Sequence, residues 1–287
     1  MNDSSDATIP VDSAKATVMV MTASTQHEAA PPAKTGIQLH RDGDVATLLL
    51  DLAQPKNSFR SADVERLGAL LDEAVQSGAR CVVIRGAGSV FSAGWDIGSI
   101  DPSGDDPMAM IARVVGPFCR QLRELPVPTI AAVAGPALGF GLGMALCCDL
   151  CLAEEDALFG SPFRHIGMVP DTGAHYFFLS RLGHSLASEL IYTGRMVSGE
   201  EAARLRLVNR IVAKGSLAAE AQALAQNIAS GPTEAFRLSK QILLQGGDFE
   251  SMVAHEGRQL RKVFATADLH EGIAAFQQRR KPRFTGA

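Results

Sequence analysis

Short apolar runs alternate with amphipathic segments over the first two thirds of the chain. Between the first three runs, apolar positions recur at helical spacing, from Val64 to Val75 and again from Ile111 to Leu122. Ser61 is the predicted N-cap of the first of these helices. The runs themselves indicate buried strands, at residues 45–52, 80–84, 130–133, 150–153 and 208–212. Buried strands that alternate with helices predict an α/β fold.

The two ends of the chain depart from this pattern. Residues 1–35 are rich in Ser, Thr, Ala, Asp and Pro and show no sustained period, which predicts a disordered tail. From Ser216 onward the pattern is helical, with breaks at Gly231-Pro232 and Gly246-Gly247. The sequence therefore predicts a tail (1–35), an α/β core (36–215) and a helical C-terminal region (216–287).

Composition narrows the class of protein. Of 287 residues, 46% are hydrophobic and 20% are charged, which is ordinary for a soluble enzyme. The net charge of −4 leaves no basic footprint for nucleic acid, so we expect no nucleic-acid partner. No apolar run approaches the ~20 residues that span a bilayer, and the acidic start lacks the features of a secretory signal. We therefore expect no membrane partner.

Three of the five cysteines lie close together, at Cys147, Cys148 and Cys151. The spacing of Cys148 and Cys151 is that of half a metal or redox motif, but no second pair and no nearby His completes a site. We therefore predict no metal site and reduced, buried thiols. Reduced thiols favour a cytoplasmic location.

The most distinctive stretch runs from Pro128 to Leu150. Its apolar strand is followed by Gly139, Gly141 and Gly143 and then by a buried helical segment. A strand that turns through glycine into a helix leaves backbone N–H groups unpaired, and these suit an anion or a developing oxyanion. Neither a P-loop nor a dinucleotide fingerprint fits the spacing. The alternative is close helix–strand packing that needs small residues.

A second loop strengthens the oxyanion interpretation. Residues 91–97, Phe-Ser-Ala-Gly-Trp-Asp-Ile, follow the strand at 80–84 through a glycine-rich segment. Alone, this loop indicates only a tight turn. Because both loops follow buried strands and present backbone N–H groups, together they predict a site made from main-chain donors.

The order of several segments resembles the crotonase (enoyl-CoA hydratase/isomerase) superfamily. They are residues 91–97, 134–141, 148–149 and 159–162, with 271–276 and 280–284 similar to the closing signature of that family. The similarity spans about residues 37–287. It implies a ββα spiral core, a C-terminal helical trimerisation region, a homotrimer or dimer of trimers, and an acyl-CoA thioester substrate from fatty or aromatic acid degradation.

The resemblance also implies roles for individual residues. The oxyanion-hole donors correspond to the N–H groups of Trp95 and Phe140, which would stabilise the enolate of a thioester. The two glutamates of the hydratases correspond to Gly143 and Phe163, and neither residue can activate water. A standard hydratase is therefore not expected.

One carboxylate, Asp171, stands where some relatives keep theirs. The surrounding segment resembles the acyl-CoA isomerase branch, including the ring-opening isomerases of phenylacetyl-CoA catabolism, so Asp171 is the candidate proton shuttle. The alternative is that Asp171 caps a helix starting near Thr172. An apolar pocket that raises the pKa of Asp171 is predicted from its neighbours Met168, Val169, Pro170, Tyr176 and Phe177.

Further residues are implied in substrate and CoA binding. They are Lys56, Ser58, Phe59, Ala93, Asp96, Ile97, Gly139, Gly141, Phe163, Phe276 and Lys281. The basic run from Arg279 to Arg283 can reach CoA phosphates, and its alternative interpretation is a solvated tail.

These observations predict a cofactor-free isomerase that shifts a double bond in an acyl-CoA, such as 3-enoyl-CoA to 2-enoyl-CoA. Three alternatives remain open. One is a hydratase; a second is chemistry like that of 4-chlorobenzoyl-CoA dehalogenase, although residues 107–125 lack the His which that branch carries. The third is a non-catalytic acyl-CoA-binding protein.

Overall fold

The computed structural model describes residues 36–287, and the predicted tail 1–35 lies outside the described residues. Nine strands, numbered in chain order, form two sheets. They are β1 (Gly36–Asp42), β2 (Val45–Asp51), β3 (Cys81–Gly86), β4 (Thr129–Val133), β5 (Pro136–Leu138), β6 (Leu150–Glu154), β7 (Leu158–Gly160), β8 (Val197–Ser198) and β9 (Arg210–Val212). The larger sheet has the order β1-β2-β3-β4-β6-β9, and the smaller has β5-β7-β8.

The five predicted apolar runs are the parallel strands of the larger sheet. All neighbouring pairs in that sheet are parallel except β1 and β2, which are antiparallel. Burial on both faces explains why these strands read as continuous apolar runs. In β3, for example, Val82 and Ile84 join one buried cluster, whereas Cys81 and Val83 join the cluster on the opposite face.

The helices cover these faces and form most of the C-terminal third. They are α1 (Ser61–Gln76), α2 (Pro107–Met110), a π-helical turn (Ile111–Val115), α3 (Gly116–Glu124), α4 (Phe140–Cys147), α5 (Ala174–Thr193), α6 (Gly199–Arg204), α7 (Leu217–Ala229), α8 (Thr233–Gln245), α9 (Phe249–Val263) and α10 (Ala267–Gln277). Both helices predicted from apolar spacing are present.

The prediction that Ser61 is the N-cap of α1 is wrong. Arg60 holds that position, and its backbone N–H donates to Asp63 Oδ2 at 2.9 Å. Ser61 is the first helical residue, because the carboxylate of Asp63 supplies the capping acceptor from inside the first turn.

Two consecutive ββα units carry the centre of the fold. The first is β4, β5 and α4, and the second is β6 and β7 followed by α5. In each unit the first strand lies in the larger sheet and the second in the smaller, where Ala137 on β5 pairs with Phe159 on β7. This arrangement confirms the predicted α/β fold with a ββα spiral core and a helical C-terminal region.

The first of the C-terminal helices, α7, belongs to the packing of the sheet. Leu217, Ala221 and Ala225 of α7 lie in one buried cluster with Val45 and Ile130. Secondary structure therefore changes from mixed strands and helices to helices near the predicted boundary at residue 215. The buried apolar cluster includes residues from both sides of that boundary.

A buried ion pair fixes α8 to the strands. Lys240, with 8% of its side chain exposed, donates from Nζ to Asp149 Oδ2 at 2.8 Å. The same oxygen accepts from Thr129 N–H at 2.8 Å and from Thr129 Oγ1 at 2.9 Å. An ion pair of this kind contributes little net stability, because desolvation of the charges offsets their attraction. We therefore infer that its main effect is to orient α8 relative to β4.

The cysteines of the described part are all free, and four of the five are buried. Burial raises the pKa values of the Cys81 and Cys151 thiols to about 12, so both are protonated at neutral pH. Within residues 36–287, no group of His, Cys, Asp and Glu side chains is arranged to hold a metal ion. No helix in this same range is both long and apolar enough to span a membrane.

Candidate active site

A buried asparagine organises the first loop of the site. Asn57 has a positive φ of 53° and is 4% exposed. Its Oδ1 accepts from Leu52 N–H at 3.0 Å, and its Nδ2 donates to Leu50 O at 3.0 Å and Val90 O at 3.1 Å. The end of β2 is thereby tied to the loop that follows β3.

Backbone pairing then fixes residues 93–96. Ala93 N–H donates to Lys56 O at 2.9 Å, Phe59 N–H donates to Gly94 O at 2.8 Å, and Asp96 N–H donates to Phe59 O at 2.9 Å. Since alternate peptide groups of an extended segment point in opposite directions, the N–H of Trp95 points away from this pairing.

The second loop connects β5 to α4 and lies directly against the first. Leu138 N–H donates to Ser92 O at 3.0 Å, and Gly139 has a φ of 50°. A Cβ atom placed on Gly94 would lie 2.6 Å from Leu138 O and 3.3 Å from Phe140 N. Only glycine at position 94 permits this approach, which sets the Gly94–Trp95 peptide beside the start of α4.

Two backbone donors therefore converge. Phe140 is the first residue of α4, so its N–H has no intrahelical acceptor. In the part of the chain that the structure describes, neither the Trp95 N–H nor the Phe140 N–H donates to a protein acceptor. Two free, neighbouring N–H groups have the arrangement that an oxyanion hole requires.

The side chain of Phe140 packs in the core. It is 2% exposed, and its ring lies 5.0 Å from Phe59, 5.7 Å from Phe118 and 5.9 Å from Trp95, measured between ring centroids. The interpretation of Phe140 as core packing therefore holds for its side chain, while its backbone N–H remains available.

The loop with Asp171 reaches α4 one turn further along. A Cβ atom placed on Gly143 would lie 2.4 Å from both Cγ2 and O of Thr172. Because a helix rises ~1.5 Å per residue, Gly143 lies about 4.5 Å along the axis from Phe140. The loop that carries Asp171 is thus packed against α4 one turn after Phe140.

Other groups fill the two positions that the resemblance assigns to the hydratase glutamates. Thr172 fills the space next to Gly143, and a Cβ atom on Gly139 would lie 3.3 Å from the ring of Phe163, which is 8% exposed. In place of carboxylates, the chain presents a threonine and an aromatic ring.

Asp171 does not act as a side-chain helix cap. The N-cap of α5 is Gly173, which has no side-chain capping hydrogen bond, and only the backbone oxygen of Asp171 accepts from Ala174 N–H, at 3.0 Å. The carboxylate instead accepts a hydrogen bond from Thr172 Oγ1 to Oδ1 at 2.7 Å.

The environment of Asp171 favours a base. Burial raises the pKa of its carboxyl group above the ordinary value, and the hydrogen bond from Thr172 partly opposes that rise. Among residues 36–287, no Lys, Arg or His forms an ion pair with it. A carboxylate without a paired cation keeps its basicity.

The predicted apolar pocket is only partly formed in this chain. Phe177 is 5% exposed and Pro170 is buried, but Met168 is 39%, Val169 75% and Tyr176 55% exposed. These three side chains therefore lie on the surface and do not enclose Asp171. The Arg123 guanidinium lies over the Tyr176 ring, 4.8 Å from its centroid.

Most residues implied in substrate binding lie around the two loops. Asp96 is held by Arg60, with Arg60 Nε 2.7 Å from its Oδ2. Lys56 and Ile97 are exposed, whereas Phe59 and Gly141 are buried and pack the loops. The set placed together comprises Lys56, Ser58, Phe59, Ala93, Asp96, Ile97, Gly139, Gly141 and Phe163.

Phe276 and Lys281 lie elsewhere in this chain. The C-terminal tail is held at the amino end of β3, where Arg80 donates to Phe284 O at 3.1 Å, whereas the site lies beyond its carboxyl end. Within the basic run, Arg280 pairs with Glu271 at 2.6 Å, and this pairing lowers the pKa of Glu271 to about 2. The structure therefore does not bring Phe276 and Lys281 together with the other residues of the predicted binding set.

Sequence reasoning did not find three residues that position the site. Asn57 joins the ends of β2 and the first loop, Ser92 Oγ donates to Asn57 O at 2.8 Å, and Thr172 contacts both Asp171 and Gly143. Ser92 and Thr172 are polar and lie near a glycine in the sequence, which was the available signal. The contacts of the three residues could not be predicted because most of them join positions far apart in the sequence.

The fold defines a class of protein, the enzymes of a family that acts on acyl-CoA thioesters. The model of the enoyl-CoA hydratase/isomerase family matches residues 40–287, and the chain belongs to this family. It is 32% identical over 254 residues to the 1,2-epoxyphenylacetyl-CoA isomerase of Escherichia coli K12, covering 86% of this chain and 97% of that protein.

Solved structures agree with this assignment. The enoyl-CoA hydratase of Bacillus anthracis superimposes with a TM-score of 0.81 at 30% identity, covering 88% of this chain and 100% of that one. Enoyl-CoA hydratase subunit I of Geobacillus kaustophilus gives a TM-score of 0.82 at 32% identity, covering 88% and 99%. The protein is therefore an enzyme of a family whose members include both hydratases and isomerases.

Proposed function

We propose that the protein is an acyl-CoA isomerase that shifts a double bond, from 3-enoyl-CoA to 2-enoyl-CoA or within a related pair. The observation that carries this proposal is a half-buried carboxylate without a paired cation, Asp171, whose neighbour Thr172 contacts α4 one turn after the free N–H of Phe140. The glutamates that hydration needs are replaced by Gly143 and Phe163.

The proposed reaction begins with the thioester oxygen between the N–H groups of Trp95 and Phe140. Asp171 removes a proton from the carbon next to the thioester, and the electron pair of that C–H bond passes into the enolate. The two N–H groups stabilise the negative charge on the oxygen. Asp171, now protonated, returns the proton two carbons further along the acyl chain, and the double bond ends in conjugation with the carbonyl.

These reaction steps balance without an added reagent. One proton leaves and one proton returns, no electron is transferred, and CoA is part of the substrate. We therefore propose that the reaction needs no cofactor. A lone carboxylate that serves both carbons requires that both proton transfers occur on one face of the substrate.

Replacement of both glutamates supports isomerisation over hydration. Hydration needs one group to activate water and another to handle the second proton. Thr172 occupies the space beside Gly143, so the position from which a glutamate would hold that water is filled. The isomerase name of the Escherichia coli relative is consistent with this choice.

We also propose that the enzyme works as a homotrimer or a dimer of trimers. One face of α9 carries exposed apolar side chains, Phe249 at 77%, Val253 at 46%, Leu260 at 55% and Phe264 at 63%. Exposed apolar patches of this kind mark protein interfaces. Light scattering on the full chain tests the proposal, and a monodisperse, active monomer would contradict it.

The substitution Asp171→Asn tests the function. Asn keeps the shape and an acceptor for Thr172 Oγ1 but cannot take a proton, so we expect normal folding and CoA-thioester affinity with a loss of about 10³ or more in turnover. Asp156→Asn, at a surface carboxylate paired with Lys214, is the matched control and should retain full turnover.

The other outcomes separate the alternatives. More than about a tenth of wild-type turnover in Asp171→Asn, well outside the loss of a general base, would assign the proton transfer to another group. Tight acyl-CoA binding without turnover in the wild type, unchanged in Asp171→Asn, would indicate a binding protein.

A further inference from the structure

Thr172 has a backbone conformation that its residue type rarely adopts. Its φ is 52°, and it is 4% exposed. A β-branched residue in the left-handed region is strained, and such strain persists where the surroundings determine it and collects at functional sites. The strained conformation of Thr172 therefore indicates a functional role for this residue.

Its side chain is fixed on two sides. Its Cβ and Cγ2 atoms lie against Gly143, where an added Cβ would come within 2.5 Å and 2.4 Å of them. On the other side, its Oγ1 donates to Asp171 Oδ1 at 2.7 Å. Since the methyl group is held against α4, the direction of the hydroxyl group is also determined.

We propose that Thr172 is the positioning residue for Asp171, holding one carboxylate oxygen so that the other is presented to the substrate. This inference rests on the proposed function, in which Asp171 is the base. Among residues 36–287, the Thr172 hydroxyl is the one side-chain donor to that carboxylate, and a backbone N–H group also interacts with it.

A positioning role has two measurable consequences. A hydrogen bond to the charged form favours ionisation, so removing the hydroxyl raises the pKa of Asp171 further. A carboxylate free to rotate is also misplaced for proton transfer, which lowers kcat by about tenfold to a hundredfold while KM changes little.

Two matched pairs isolate the hydroxyl group. Thr172→Val keeps the shape and the β-branched backbone strain, and differs from the wild type only in the hydroxyl. Thr172→Ser and Thr172→Ala differ from each other in the same way, and they carry the test if Thr172→Val does not fold. Thr193→Val is the control on α5, because Thr193 Oγ1 donates to Glu189 O at 2.7 Å.

The experiment combines a carboxyl carbon NMR titration of Asp171 in the free enzyme with the pH profile of kcat/KM. In Thr172→Val and Thr172→Ala, we expect the acid limb of the kcat/KM profile and the titration midpoint of Asp171 to shift to higher pH. We also expect kcat to fall in both variants. Thr172→Ser and Thr193→Val should match the wild type. Equal titration and kcat within twofold in all variants would overturn the inference, as would equal losses in Thr172→Ser and Thr172→Ala.

The two readouts separate this inference from the proposed function. A wild-type enzyme without isomerase turnover would overturn the proposed function. The NMR titration needs no substrate. A higher titration midpoint of Asp171 in Thr172→Val would therefore still support the hydrogen bond of the hydroxyl group to the carboxylate, even without turnover. An unchanged midpoint would overturn it.

Discussion

Replacing Gly143 with alanine tests how closely the Asp171 loop is packed on α4. The added methyl group would lie 2.4 Å from Thr172 O and from Thr172 Cγ2, where an ordinary contact begins at 3.4 Å. The loop must therefore move by about 1 Å, because a well-packed interior has no free space to absorb the atom.

The size of the effect follows from this displacement. Overpacking of this kind costs about 1–3 kcal/mol of unfolding free energy, and a shift of about 1 Å in a catalytic group lowers turnover by about 10². We expect both losses in Gly143→Ala, with CoA-thioester affinity largely kept, because the N–H groups of Trp95 and Phe140 stay in place.

The assays are urea-induced unfolding and steady-state isomerisation of a 3-enoyl-CoA. Gly272→Ala is the matched control: it lies within α10, and its added Cβ would meet Phe284 at an ordinary 3.4 Å. The control should gain up to about 1 kcal/mol from helix propensity and keep its turnover. Gly143→Ala with wild-type stability and turnover would refute the placement of Thr172 on α4.

Three further predictions concern the same site. Hydration of 2-enoyl-CoA, followed by loss of thioester absorbance, should run at least about a thousandfold below an ordinary hydratase, and an ordinary rate would contradict the proposed function. Phe140→Pro removes a donor at a helix position that tolerates proline, so it should be about 10²–10³ slower than Phe140→Ala, which loses the same ring but keeps the N–H; equal rates would remove Phe140 from the site. Because burial raises the pKa of Asp171, the folded state binds its proton more tightly than the unfolded chain, and stability falls as pH rises. Asp171→Asn should therefore unfold at a higher temperature than wild type at pH 7, with no difference at acid pH, and kcat/KM of the wild type should fall as Asp171 is protonated; the reverse order of unfolding temperatures would contradict the burial of the charge.

The sequence predicted the five parallel strands of the larger sheet because they form apolar runs. The smaller sheet was not predicted, since β5, β7 and β8 have two or three residues each and no period can be read from them. Strand β1 was not predicted for a different reason: only one of its seven residues is buried, as expected of an edge strand. Long, buried elements carry a signal in their own residues, whereas short and edge strands depend on their partners.

The site divides in the same way. The glycine positions could be found from the sequence because glycine spacing is a local feature, whereas Asp171 and the replaced glutamates were identified through the resemblance to the family. The contact of Thr172 with Gly143 joins residues almost thirty positions apart and depends on a left-handed threonine. The position of the C-terminal tail at the amino end of β3 likewise depends on a distant contact, of Phe284 with Arg80.

Deuterium exchange tests the central claim, enolate formation by Asp171, most directly. A 3-enoyl-CoA is incubated in D₂O with wild-type enzyme or Asp171→Asn, and deuterium at the carbon next to the thioester is followed by NMR. The wild type should incorporate deuterium whether or not net product forms, and Asp171→Asn should be slower by about 10³. Equal incorporation by the two proteins would contradict the assignment of Asp171 as the base.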